Sequence, residues 1–335
     1  MKFVKGQPIH HYHLDTENLG FLERLFIRPT RELEGFYQRM FNEDFSRVFS
    51  SLNQRNETLF SLDSNDEVLT EKLLLNVKGR YSRHCSDDVI RDWVEEIAQT
   101  LVRLKTAYYF LHEDTEKAEL HIVPLSSDGL FRLLNTYIQI VPKRQKELWA
   151  SDEKLLPTEL RIIDSSKLIR FDLASTTKQL LLEQNKVLTA LDKHQHDNMA
   201  FSPKATYENP LPQSDFDFRY WTDTQDKALY RATRNTGWTG RIQDSSKRSD
   251  FFDCYRLLRF KRNQLILRDN ILFQLGKELT RIGQQYNAEF EIVISPTNAL
   301  PNVEDLDKLK EQLSQEKVSF TDIMDCCYER ERTAK

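Results

Sequence analysis

Apolar residues recur at three- and four-residue spacing over much of the first hundred residues, which predicts helices there. One helical pattern covers Leu19–Leu52, where Pro29 interrupts it and Thr30 is positioned to cap the restart. Ser61–Glu67 is polar and is predicted to be a loop. The pattern over Asp87–Lys105 has a clear apolar stripe and predicts a second helix.

After that helix, short aromatic or β-branched runs predict strands. The segment between the first two runs, EDTEK, is polar and predicts a hairpin turn. No regular alternation of strand and helix follows, which favours an α+β fold, mainly helical, over a parallel α/β fold. The predicted strands are Ala107–His112, Glu119–Leu125, Tyr137–Val141, Leu160–Ile163 and Leu168–Phe171.

The second half of the chain returns to helical periodicity. Helices are predicted over Thr176–Leu191, Asp223–Thr233 and Ser249–Gln285. Between the first two, Asp192–Ser214 is polar and holds three prolines, which predicts a long loop. A strand at Phe290–Ile294 precedes the last two predicted helices, Val303–Leu313 and Phe320–Arg330.

Composition narrows the class of protein. The 335 residues are 39% hydrophobic and 30% charged, and no run of 18 apolar residues predicts a membrane span. Only 9 glycines argue against an enzyme built on ligand-cradling loops. The four cysteines fit neither a zinc site nor a disulfide framework, so free thiols, no cofactor and no resident metal are expected: Cys85, Cys254, Cys326 and Cys327.

Charge is distributed unevenly, although the net charge is only −4. Arg231–Arg268 holds ten Lys or Arg against three Asp, interleaved with aromatic side chains. Residues 302–331 hold nine acids against four bases. Cations beside aromatic rings suit a phosphate backbone or an acidic protein surface. This asymmetry would suit copies of the chain that associate head to tail, with a basic face against an acidic face. The alternative is that both segments are ordinary helix faces exposed to solvent.

The candidate contact residues, for DNA or for a neighbouring subunit, all lie in the basic segment. For the cations, a charged rim around a core helix is the alternative. A tryptophan in a glycine turn is either displayed to a partner or packed against the fold. The candidates are Arg231, Arg234, Trp238, Arg241, Lys247, Arg248, Arg256, Arg259, Lys261, Arg262 and Arg268.

Catalytic signals are sparse. His11-Tyr12-His13 matches the His-hydrophobic-His pattern that holds a metal in some DNA nucleases. In such a nuclease, Tyr37 or Tyr81 would be the nucleophile. The alternative is that the triplet belongs to a polar N-terminal arm without a catalytic role. The cluster His194–Asp197 is predicted to lie where a helix ends, as a solvated terminus.

The carboxylate pairs Asp87-Asp88 and Glu95-Glu96 do not face each other along a helix. No phosphate-binding loop or hydrolase motif occurs in the sequence. We therefore expect no enzymatic activity.

Three segments carry a resemblance to a known family. The first has the order helix, Tyr-rich strand, turn and strand: TLVRLKTAYYFLHEDTEKAELHIVPLSSDGL. The second resembles the strand that closes the wing: LRIIDSSKLIRFDL. The third resembles a short terminal helix, capped by Ser319: LSQEKVSFTDIMDCCYERER. Together with the element order, they resemble the portal proteins of tailed bacteriophages. The resemblance implies a portal-like fold with an α/β wing, two stem helices, a loop-rich clip and a helical C-terminal end.

The resemblance also implies an organisation and a role. Residues 1–18 would be an N-terminal arm, 19–175 the wing, 176–248 the first stem helix and clip, and 249–335 the long stem helix and C-terminal region. The protein would be a ring homo-oligomer, typically of twelve copies, in a virion assembled in the host cytoplasm. Double-stranded DNA would pass through the ring, and capsid, neck and terminase proteins would dock on it. There are two alternatives to this role. One is a soluble nucleic-acid-binding protein that uses residues 231–268, and the other is a metal-dependent nuclease that uses His11 and His13.

Overall fold

The structure is a computed structural model and describes residues 2–10, 21, 34–49, 58–75, 77, 86–114, 119–127, 129–134, 136–141, 158–200, 226–240 and 250–328. Its helices are α1 Phe36–Ser46, α2 Glu67–Leu75, α3 Ser86–Leu104, α4 Ser175–Ala200, α5 226–232, α6 Asp250–Gly283, α7 Val303–Ser314 and α8 Phe320–Tyr328. Its strands are β1 Lys2–Lys5, β2 Phe60–Ser64, β3 Thr106–Asp114, β4 Glu119–Leu125, β5 Leu130–Leu133, β6 Thr136–Val141, β7 Glu159–Ile163, β8 Leu168–Asp172 and β9 Ile292–Pro296.

The mainly helical α+β class is confirmed. Two compact units are present, each built from separated segments of the chain. The first unit takes Met1–Leu33, Thr58–Leu173 and Asp269–Thr297, and the second takes Glu34–Glu57, Ala174–Arg268 and Asn298–Lys335. The division of the sequence into arm, wing, clip and stem stays a prediction about portal-like regions. None of the described helices is long and apolar enough to cross a membrane.

The first unit contains all of the described strands, in three sheets. The strand orders are β1-β7-β6-β5, β4-β3-β8 and β2-β9. β3 and β4 form the predicted antiparallel hairpin, with Tyr108 opposite Leu125 and Asp114 opposite Glu119. Helix α3 presents its apolar stripe to the unit's core, where the Trp93 ring lies edge-on to Tyr109 and Tyr109 lies edge-on to Phe171.

One prediction in this unit is wrong, and two strands were not predicted. The predicted loop at Ser61–Glu67 is β2 followed by the start of α2, because β2 pairs antiparallel with β9, more than 200 residues further along the chain. Within residues 1–18, the predicted N-terminal arm, Lys2–Lys5 forms β1, which pairs in parallel with β7. Both segments are too polar to predict a strand alone, and each becomes one through a distant partner. The short strand β5 was also missed.

The second unit is helical in its described part. Phe41 and Phe45 of α1 pack with aromatic side chains from later segments, Trp238 and Phe260. A separate apolar cluster joins the first turns of α6 to α7 and α8: Cys254, Leu258, Leu265, Leu306, Leu313, Ile323 and Cys327. Burial, with smaller contributions from the neighbouring Cys326 and Cys254, raises the pKa of the Cys327 thiol to about 12. This cysteine therefore stays protonated at neutral pH.

Helix α1 begins later than the sequence predicted, and a distant carboxylate caps it. Gly35 is its N-cap residue, and Asp192 of α4 accepts hydrogen bonds from the backbone N–H groups of Tyr37 (2.8 Å) and Gln38 (3.2 Å). A Cβ on Gly35 would lie 2.1 Å from Asp192 Oδ2, so the close approach requires glycine. Thr30, the predicted cap, lies outside the described residues.

Helix α4 is longer than the sequence predicted. It continues to Ala200, so the backbone at His194–Asp197 is helical, and these residues do not mark the helix end. The Pro-rich remainder of the predicted loop lies outside the described residues.

We predict that Asp192→Ala lowers the free energy of unfolding by about 1–2 kcal/mol, because the backbone N–H groups of Tyr37 and Gln38 lose their acceptor. Urea unfolding followed by circular dichroism measures the change. The adjacent exposed substitution Lys193→Ala is the control and should change the stability by less than about 0.5 kcal/mol. Equal effects of the two substitutions would show that the cap does not stabilise α1.

Candidate interaction surface on the basic segment

The described part of the basic segment begins with α5 and a glycine turn that lies close against α6. Gly237 has φ +82°, in the left-handed region. A Cβ at this position would lie 2.4 Å from the backbone oxygen of Arg256 and 2.9 Å from the backbone nitrogen of Phe260. Both the conformation and the space therefore require glycine, and this residue brings the turn into contact with the helix backbone.

Trp238, the next residue, packs against the fold and is only 3% exposed. Its Nε1 donates to Asp44 Oδ2 at 3.0 Å, and its ring meets Phe41 edge-on with centroids 5.4 Å apart. Of the two interpretations that the sequence left open, the structure shows the packed one. Trp238 attaches the turn to α1 and is not displayed to a partner.

Arg256 binds the same turn from the helix side and is 5% exposed. Its Nη1 donates to the Tyr230 carbonyl at 2.8 Å. Its Nη2 donates to Thr233 Oγ1 at 2.6 Å and to the Trp238 carbonyl at 2.5 Å. The guanidinium also stacks 3.9 Å from the centroid of the Tyr230 ring, a cation–π contact. The cation is thus solvated by the chain's own oxygen atoms.

These positions correct the predicted contact surface. Arg256 and Arg268, which is 1% exposed, lie inside the chain together with Trp238. Both arginines were predicted as contact residues, because cations on a helix normally point outwards. Arg241, Lys247 and Arg248 lie outside the described residues.

The cations that remain on the described surface come from α5, the turn and one part of α6. Arg231 and Arg234 are exposed, while Arg259, Lys261 and Arg262 are partly exposed. Arg259 donates to the Arg234 carbonyl at 3.0 Å and to the Tyr255 hydroxyl at 3.0 Å. It therefore holds Arg234 beside α6. These five cations are called the basic surface, although Lys261 lies on a different side of α6 from Arg259 at 3.6 residues per turn.

Part of the acidic C-terminal segment already neutralises this surface within the chain. Arg262 binds Asp307 of α7 through two of its three guanidinium nitrogen atoms, Nε at 2.8 Å and Nη2 at 3.1 Å. Arg259 and Lys310 both lie near the ring of Tyr255, 5.1 and 5.2 Å from its centroid. Burial raises the pKa of Tyr255, but the two cations outweigh it and the net pKa is lowered. The basic helix and the acidic helix therefore compensate each other in part before any partner arrives.

The described residues contain no metal site that would support the nuclease alternative. His11, His13 and Tyr81 lie outside them, and no group of three or more potential metal ligands occurs among them. Tyr37, the other candidate nucleophile, is 7% exposed. Burial raises its pKa, and the charges of Asp226 and Asp192 raise it further, which disfavours the phenolate that would attack a phosphate.

The other carboxylate candidates have structural roles where their contacts are described. Asp87 accepts a hydrogen bond from the backbone of Leu59 at 2.6 Å. Asp88 lies in the first turn of α3 and pairs with Arg91 at 3.8 Å. Glu95 and Glu96 are adjacent positions on the same helix and are partly exposed.

Comparison with known proteins gives no family. No family model matches the chain, and no curated protein matches it. Among solved structures, it is similar to a chain in the virion of a native gene transfer agent (GTA) particle, with 11% identity over 86% of this chain and 89% of that chain and a TM-score of 0.42.

Two further similar chains come from GTA necks. One is in the neck of an empty particle computed with C6 symmetry, at 11% identity, 88% and 90% coverage and a TM-score of 0.44. The other is in the neck of a native particle computed with C12 symmetry, at 13% identity, 88% and 90% coverage and a TM-score of 0.42. Likeness at this level does not establish a common fold or function.

We predict that Arg256→Lys lowers the free energy of unfolding by about 3 kcal/mol, because a lysine keeps the charge but loses the fork and the stacking on Tyr230. Chemical denaturation measures the change. Arg231→Lys, an exposed position in the same segment, is the matched control and should change stability by less than about 0.5 kcal/mol. If Arg256→Lys were as mild as the control, the buried guanidinium would not be holding the turn.

Proposed function

We propose that this protein is a portal-like subunit of a phage-type virion, which forms a ring through which DNA is packaged and ejected. The observation that carries the proposal is the order of elements in the chain. A unit of mixed sheets and helices contains the residues up to Leu173 apart from Glu34–Glu57, and two long helices, α4 and α6, follow on either side of residues 201–249. The short helices α7 and α8 end the described chain. This is the order expected of wing, first stem helix, clip, second stem helix and helical C-terminal end.

The lengths of the two helices agree with a stem. α4 has 26 residues, and α6 has 34, which is about 51 Å at about 1.5 Å per residue. α6 belongs to the second unit up to Arg268 and to the first unit from Asp269. A continuous helix of this length suits a subunit that must span a thick ring wall.

This role requires contacts between subunits and the passage of DNA through the ring, and it requires no covalent reaction. Subunits would associate head to tail through unlike surfaces, so that a closed ring forms. The described basic surface, Arg231, Arg234, Arg259, Lys261 and Arg262, would contact an acidic surface of the next subunit or the phosphates of DNA in the channel. Capsid, neck and terminase proteins would dock on the ring, in a virion assembled in the host cytoplasm. No cofactor is needed for any of these roles.

A soluble nucleic-acid-binding protein is the second candidate, because Arg231 and Arg234 are exposed on the basic surface. The two candidates differ in size: a ring has many copies, whereas a small binding module is a monomer or dimer. For either candidate, a salt series tells whether the basic surface contacts phosphates or protein. Binding through several phosphates weakens steeply with the logarithm of salt concentration.

We predict that the protein forms a closed ring at physiological salt. Multi-angle light scattering should report a mass many times 39.7 kDa, and negative-stain images should show rings. The number of copies would follow from the ratio of the two masses. A clean monomer at high concentration would exclude the portal-like role and leave the nucleic-acid-binding candidate.

We predict that reversing the charge of the basic surface, with Arg231→Glu and Arg234→Glu together, abolishes assembly or DNA binding and leaves the fold intact. Both side chains are exposed, so folding should change by less than about 1 kcal/mol. Like charges would then face a partner of the opposite sign. Light scattering and DNA binding over a salt series measure the two outcomes.

The matched control changes the charge by the same four units on exposed positions of α4, with Lys186→Glu and Lys193→Glu. This control should assemble and bind like the unmodified protein. Loss of the ring without an effect of DNA would assign the surface to a subunit contact, and a loss of DNA affinity with a reduced salt dependence would assign it to phosphates. If the Arg231, Arg234 variant behaves like the control, the basic surface is only a solvated helix face.

A further inference from the structure

Two histidines in the first unit face each other through the same ring nitrogen. His10 follows β1, and His112 lies on β3. Their Nε2 atoms are 2.5 Å apart, and the rings are inclined at 61° with centroids 4.8 Å apart. Nothing in the proposed portal-like role uses this contact.

The other nitrogen of each ring faces a carbonyl oxygen. His10 Nδ1 lies 2.8 Å from the backbone oxygen of Pro124, which can only accept a hydrogen bond. His112 Nδ1 lies 2.8 Å from Gln7 Oε1, also an acceptor. Both Nδ1 atoms therefore carry a proton and donate it. In two neutral rings, both Nε2 atoms would then present lone pairs to each other, which is repulsive at this distance.

The separation decides what lies between the two nitrogen atoms. Two Zn–N bonds of about 2.05 Å at a tetrahedral angle would hold the nitrogen atoms about 3.3 Å apart. A single proton needs a short N···N distance instead, as in a charge-assisted hydrogen bond. We propose that His10 and His112 share one proton and that this protonated pair is a pH-sensitive clasp, which fastens residues 7–10 to the β3–β4 hairpin.

Charged groups around the pair favour the added positive charge. His112, Asp114, Glu119 and His121 share one face of the β3–β4 hairpin, because His112 is opposite His121 and Asp114 is opposite Glu119. His121 Nε2 lies 3.2 Å from Glu119 Oε2. Two carboxylates on this face stabilise a cation there.

The basic side chains of β7 and of the turn between β7 and β8 form ion pairs. Arg161 of β7 donates to the Gln7 carbonyl at 2.7 Å and pairs with Glu159. Lys167 pairs with Glu113 at 2.7 Å. Lys5 and Asp164 line the cavity beside the arm.

The clasp fixes one wall of that cavity. Ile9 exchanges two backbone hydrogen bonds with the buried side chain of Gln139, at 3.0 and 2.8 Å, which sets the path of the arm. Gln7, the acceptor for His112, lines a cavity of about 360 Å³ together with Phe110 and Ile162. Release of the clasp would free Gln7 and change the access to this cavity.

The two histidines titrate as one pair, so the clasp has a pH window. The unfolded histidines have pKa values of about 6.5 each. Above this value the folded pair retains one proton that the unfolded chain loses, so the pair's contribution to stability disappears as pH rises through the pair's upper pKa. Below it the unfolded chain binds two protons and the folded pair only one, so the contribution disappears again as pH falls. Protection of the arm should therefore be greatest between the two.

Hydrogen exchange of the N-terminal peptide in the complete protein, divided by the intrinsic rate at each pH, tests the clasp between pH 5 and 9. We expect a bell-shaped protection profile with its maximum near pH 6–7. His112→Gln should lower the protection at the maximum about tenfold and flatten the profile. His121→Gln, on the opposite strand, is the matched control and should keep the bell.

Two further experiments test whether something other than a shared proton lies between the two Nε2 atoms. Gln7→Glu keeps an acceptor opposite His112 Nδ1 and should preserve the bell or raise it. If Gln7→Glu weakens protection and the profile rises steadily to high pH, the pair is a neutral hydrogen bond with the Gln7 amide reversed, and the proposal is wrong. If EDTA removes the protection, or added Zn²⁺ restores it, the occupant is a metal ion, and the proposal is also wrong.

Discussion

The middle of the second unit depends on one buried cation, the guanidinium of Arg256. A charge of this kind is costly to remove from water unless hydrogen bonds replace those that it loses. Here one hydroxyl and two backbone carbonyls of the 226–240 segment do so, and the Tyr230 ring covers one face. The cost of burial becomes a constraint, because the turn must stay in one conformation to supply these oxygen atoms.

The same constraint extends from the turn to α1. Once Gly237 brings the turn against α6, Trp238 reaches Asp44 near the end of α1. Gln264, further along α6, donates to the carbonyls of Asp44 and Arg47 at the C-terminal end of α1, where the helix leaves carbonyl groups to be satisfied from outside. A basic run that looked like an interaction surface is therefore in part an internal polar framework. The surface that it offers is smaller than its charge implies.

Local patterns were sufficient for most helices and for the β3–β4 hairpin, because periodicity and a short turn act over a few residues. They failed where the determining partner is far along the chain. β2 is polar and becomes a strand only beside β9, and α1 begins where Asp192 can cap it. Within the candidate surface, the exposed position of Arg231 followed from the usual preference of cations for solvent. The buried position of Arg256 could not follow from it, because nothing near Arg256 in the sequence identifies Tyr230, Thr233 and Trp238 as its partners.

In both units a positively charged side chain holds a segment of the chain through hydrogen bonds to oxygen atoms, but the two contacts differ in how they respond to pH. Arg256 and the His10–His112 pair each place positive charge against backbone or side-chain oxygen atoms of a segment that has to be held. An arginine remains charged at every pH that the folded protein survives, so the turn that it holds is permanent. A histidine pair gains and loses its proton near neutral pH, so the segment that it holds is releasable. Within this chain, the choice between arginine and histidine therefore distinguishes a fixed internal contact from one that responds to its surroundings.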